Sequence, residues 1–109
     1  MKMVIAVVQD EDAIELVDSL TESNFRVTKL STTGGFLKAG NTTLLIGVSK
    51  EETEKVISII KKICKKRDDT IASVTPFTGD TGIYMQYPIN VTVGGATIFV
   101  IDVDQFIRI

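Results

Sequence analysis

The chain has 109 residues, no histidine, one cysteine and a formal net charge of −2. That length suits one domain, and the absence of histidine removes the commonest general base and the commonest metal ligand, so neither a zinc nor a copper site is expected. Hydrophobic residues at 44% and charged residues at 24% are the mix of a soluble globular protein; no apolar run nears the ~20 residues of a membrane span, no basic stripe offers a surface to a nucleic-acid polymer, and a lone cysteine points to a reducing, cytoplasmic compartment.

Met1 to Val8 reads as a strand that is apolar on both faces apart from Lys2, as a central strand should be. The opening MKMVIAVVQDEDA is not read as a signal peptide. Its apolar run is about six residues long and is followed by acids rather than by a small-residue cleavage site. Asp10 to Ser23 follows as a helix, with Ala13, Leu16, Val17 and Leu20 at helical spacing and Asp12 with Glu15 as a capping box. Asn24 ends it. A second strand runs to about Ser31, with Phe25 and Val27 on one face and Arg26 and Thr28 on the other.

The connection TTGGFLKAGNTT, Thr32 to Thr43, carries three glycines and four threonines around Phe36 and Leu37. Glycine-loop N–H groups can point at phosphate oxygens, Arg26 can pair with a phosphate, Phe36 and Leu37 offer a base a flat apolar surface, and Asn41 can meet a purine edge. A nucleotide site and a plain glycine-rich connection both fit this composition. Thr42 to Val48 is a third strand. Ser49 and Glu52 form a capping-box signal for a second helix whose buried stripe is Val56, Ile59, Ile60, Ile63 and Cys64. Cys64 is read as core filler and the Lys61–Arg67 cations as a solvated helix end.

Asp68 to Tyr87 reads as a long loop, too apolar for a simple linker. Ile89–Val93 and Ala96–Val103 read as a hairpin around Gly94-Gly95, and Phe106, Ile107 and Ile109 as a last short strand. The order is α+β, a ferredoxin-like βαββαβ sandwich: one antiparallel sheet with two helices on one face. Helices cover one sheet face only, so the other must be buried by self-association or by the 68–87 segment. Asp10, Glu11 and Asp12 are read as helix-capping acids rather than a metal cluster, and nothing marks Asp102 with Asp104 as an acid–base couple. No catalytic residue is expected.

The stretches NFRVTKLSTTGGFLKAGNTTLLIGV, YPINVTVGGATIFV and MKMVIAVVQDEDA strongly resemble the PII-like cyclic di-AMP receptors, the PstA/DarA family. The resemblance spans essentially the whole chain. It implies a single PII-like domain over residues 1–109, with a short loop at 32–41 and a long loop at 68–87. It also implies a non-enzymatic homotrimer, formed through the open sheet face, that binds cyclic di-AMP between subunits. Loop rearrangement would signal to an unknown downstream protein. The implied ligand contacts are Asn24, Arg26, Thr28, Gly35, Phe36, Leu37, Asn41, Gly47 and Phe99, with no other cofactor and no metal. Arg108 stands where some relatives have glutamine. An ATP- or ADP-binding PII regulator, a CutA-like metal-handling trimer and a nucleotide-processing enzyme are the competing readings.

Overall fold

The computed structural model describes residues 1–30, 40–76 and 84–109, and the side chains of these except 69–76 and 84–89. The elements in chain order are β1 (Lys2–Gln9), α1 (Asp10–Glu22), β2 (Arg26–Leu30), β3 (Asn41–Val48), a 3-10 turn at Lys50–Glu52, α2 (Thr53–Ile63), β4 (Arg67–Pro76), β5 (Tyr84–Val93) and β6 (Ala96–Asp102). Four strands form one sheet in the order β2-β3-β1-β6, with every neighbouring pair antiparallel. This is the ferredoxin-like arrangement that the α+β reading requires. A separate two-stranded ribbon is made of β4 and β5.

Period-two alternation sorts the central strand. Val4, Ala6 and Val8 are buried on the helix side, while Met3, Ile5 and Val7 are half-buried on the other. β3 repeats the pattern with Leu44, Ile46 and Val48 inside. Ala13, Leu16 and Leu20 of α1 and Val56 and Ile60 of α2 complete one core on the same sheet face. Each fully buried aliphatic contributes about 1.5–3 kcal/mol. Cys64 lies in this core at 2% exposure, as a filler should.

The helix N-termini differ from the pattern read in the sequence. Gln9 stands at the N-cap of α1 but its side chain makes no capping bond to the helix. Asp12 does not serve a capping box: its carboxylate accepts from Arg67 Nη2 at 2.6 Å and Nη1 at 3.4 Å. The Ser49 hydroxyl donates to Glu52 Oε1 at 2.8 Å, across the 3-10 turn that precedes α2.

Residues 67–93 differ more. The segment expected as a long loop at 68–87 is built largely of strand, with Arg67–Pro76 paired antiparallel to Tyr84–Val93; residues 77–83 lie outside the described residues, as do residues 31–39 of the short loop. The expected hairpin at 89–103 is not formed. β5 pairs with β4 and β6 pairs with β1, so Gly94-Gly95 is a corner between two sheets. Both glycines have positive φ, 89° and 88°, and a Cβ on Gly94 would collide with the Lys65 carbonyl oxygen. The expected last strand is also absent: Phe106, Ile107 and Ile109 are exposed and outside any strand.

Candidate functional site

The site begins where α1 stops. Asn24 adopts φ 68°, the left-handed conformation that ends many helices. Its N–H donates to the Thr21 carbonyl at 3.0 Å, and the Phe25 N–H donates to Leu20 at 2.9 Å. These two bonds are a Schellman motif. Phe25 then enters the core at 6% exposure, beside the same cluster that holds Leu20. Reversing the chain here starts β2 with Arg26 and Thr28 on the helix-free face, where both are exposed.

Register fixes their neighbours. Arg26 pairs with Gly47 and Thr28 with Leu45 on β3, while Met3 and Ile5 of β1 pair with the same two β3 residues. Gly47 therefore sits between Arg26 and Met3 with no side chain of its own. A Cβ there would lie 3.2 Å from the Met1 methyl. Above this bare strand lies a cavity of 590 Å³. Its lining includes Asn24, Arg26, Thr28 and Gly47, with Met1, Met3, Ser49, Glu52, Val103, Phe106 and Arg108. Two guanidinium groups and one carboxylate thus border an otherwise largely apolar hollow, a setting that suits an anion carrying flat rings.

Four of the nine residues expected at the site meet in this cavity. Asn41 does not: it opens β3 opposite Gln9, six residues and about 20 Å from Gly47 along the strand, beside a smaller hollow shared with Lys66, Gly94 and Gly95. Phe99 also stands apart. It faces Ile5 on β6, at 53% exposure, in the row Thr28–Leu45–Ile5–Phe99 that crosses the sheet. Three strand spacings, about 14 Å, separate it from Thr28. Gly35, Phe36 and Leu37 lie outside the described residues. The structure adds Arg108 and Phe106, whose place in the lining of the same cavity no local sequence pattern signals because the segment after β6 has no regular period.

The helix-free face around the site is apolar and open. Met3, Ile5, Val7 and Leu45 are half-buried, while Phe99 and Ile101 remain 53% and 48% exposed. At the strand end, the Lys2 ammonium beside Asp102 holds its carboxyl below the usual carboxylate range. Among the described residues no group of three or more potential metal ligands comes together, and no helix is long and apolar enough to cross a membrane.

A crystal structure described as a functionally unknown protein from Pediococcus pentosaceus ATCC 25745 is 49% identical, with a TM-score of 0.75, over 99% of this chain and 96% of that one. The family model described as cyclic-di-AMP receptor matches residues 1–109. A ferredoxin-like sheet with an anion-suited cavity at the end of its edge strand, and a family match along its full length, place this chain in the cyclic-di-AMP receptor family.

Proposed function

We propose that this cyclic di-AMP-binding PII-like protein is a single-domain, non-enzymatic, cytoplasmic signalling protein that takes its ligand at seams between the subunits of a homotrimer. The observation that carries this reading is the cavity over Gly47, bordered by Arg26 and Arg108 and continuous with an uncovered apolar sheet face. Cyclic di-AMP has two phosphates and two adenines. Arg26, with Arg108 on the same cavity, offsets phosphate charge, while Asn24 and Thr28 supply polar groups at the cavity edge. The bare backbone of Gly47 admits the ligand close to the sheet. Gly35, Phe36 and Leu37 complete the site from the loop, with the Phe36 ring covering a base; such stacking contributes about 1–3 kcal/mol.

Asn41 and Phe99 are remote from the cavity within one chain. In the proposed trimer they join a site across the seam, where the open faces of neighbouring copies meet. Ligand contacts then change the arrangement of the loops that a downstream protein reads.

Calorimetric titration with cyclic di-AMP and with ATP tests the reading. The expected result is one cyclic dinucleotide bound per chain, undisplaced by equimolar ATP, and recovered intact after long incubation. Preferential binding of ATP, or turnover of the dinucleotide, would overturn it.

A further inference from the structure

We infer that the first turn of α1 is a mechanical junction between the start of β3 and the base of the β4–β5 ribbon, and that it carries the state of the ligand site to that ribbon. The second half rests on the reading above, in which the segment leading into β3 contacts cyclic di-AMP.

Residues 9, 10 and 12 each hold a different part of the chain. The Asp10 N–H donates to the Gly40 carbonyl at 2.8 Å, and the Thr42 hydroxyl donates to Asp10 Oδ1. Both bonds fasten the point where the chain enters β3. Two residues on, Asp12 grips Arg67 through both carboxylate oxygens, at 2.6 and 3.4 Å, where β4 begins. Gln9 Oε1 accepts from the Gly94 N–H at 2.7 Å, where β5 has just ended. Both strands of the ribbon are thus tied at their base to the turn that also ties the start of β3.

The turn transmits through buried anchors on either side, although Asp10 itself is exposed. Asp12 is 3% exposed and Thr42 6%. Asp10 and Asp12 share one helical turn, so a displacement of one carries the other. Two further bonds leave the ribbon base little slack: Gly95 N–H donates to the Cys64 carbonyl, and Arg67 Nη1 donates to the Lys65 carbonyl at 3.1 Å. A buried carboxylate that loses its geometry loses most of its stabilisation, so the junction favours discrete arrangements over gradual ones.

Hydrogen–deuterium exchange tests both halves. In ligand-free protein, Thr42→Val and Asp10→Ala should each speed exchange of amides 67–69 and 91–93 by about fivefold, the lower end of ordinary coupling between sites, although Thr42 has no bond to the ribbon. In the second arm cyclic di-AMP is added. It should alter exchange at these amides in the natural protein, and Asp12→Asn and Arg67→Gln should abolish that change while calorimetry still registers binding. Ribbon-base exchange within about twofold of the natural protein in both ligand-free variants would overturn the junction. So would a ligand effect that survives in Asp12→Asn and Arg67→Gln. A natural protein that fails to bind cyclic di-AMP sinks the functional reading instead, and the ligand-free arm still decides the junction.

Discussion

Arg26 and Asn24 stand two residues apart with different work to do. Arg26 is exposed, projects beside the bare Gly47 strand and stabilises nothing in the core. Arg26→Ala should therefore leave the melting temperature nearly unchanged and weaken cyclic di-AMP binding by about 1.5–3 kcal/mol, the loss expected for hydrogen bonds from a charged group; calorimetry beside a thermal melt separates the two effects. Asn24 carries backbone geometry as well. Its φ of 68° costs a residue with a Cβ about 1–2 kcal/mol unless its side chain is Asn-like. Asn24→Ala should accordingly lower stability, while Asn24→Gly should not, and both should lose the side chain's proposed ligand contact. Cys64 shows what burial does to a thiol. Desolvation, reinforced by the Asp12 charge, pushes its thiol up to about 11 from the ordinary 9.0. The raised value means the folded state holds the neutral thiol after the unfolded chain has begun to ionise. Its contribution to stability is thus complete below pH 9 and is lost as pH rises toward 11. Denaturant midpoints across that range should fall more steeply for the natural protein than for Cys64→Ala.

Elements were legible in the sequence wherever one face meets a core. α1, α2, β1 and β3 announce themselves through apolar spacing because each buries a stripe against its neighbours. The side chains of Arg26 and Thr28 were assigned their face for the same reason: Phe25 and Val27 define the opposite one. The β4–β5 ribbon reads as loop in the sequence. It pairs as a two-stranded sheet separate from the four-stranded one, and Asp68, Asp69, Pro76 and Pro88 argue against a strand locally. The Gly94-Gly95 corner shows the same limit. A two-glycine turn between apolar runs signals a hairpin, and only the pairing of β6 with β1 tells a corner from a hairpin. The ion pair that anchors the ribbon spans 55 residues of sequence, and no spacing rule could have matched Asp12 to Arg67. Asp12→Ala removes a buried carboxylate from a partner that is 39% exposed. Its cost should fall between that of an exposed pair and that of a fully buried one, about 2 kcal/mol by chemical denaturation.

At the scale of the whole molecule, the proposed trimer accounts for two features of one chain. Its helix-free face leaves Ile5, Leu45, Phe99 and Ile101 partly or largely uncovered, and its proposed site has Phe99 three strands away from Thr28. Association of these faces would cover the first and supply the second. Sedimentation should give three times the 11.9 kDa chain mass, and Ile101→Asp should lower it by placing a charge in the seam. Mixed assembly tests the sharing of sites directly. Arg26→Ala and Phe99→Ala subunits each form sites that lack one group, and neither alone should bind with natural affinity. If each site draws Arg26 from one subunit and Phe99 from its neighbour, unfolding the two variants together and refolding them at equal amounts places both natural residues at roughly a quarter of the seams by random mixing. Calorimetry should then recover tight binding at that fraction. If Arg26 and Phe99 served the same site from one chain, every site in the mixture would keep one defect and no tight binding would return.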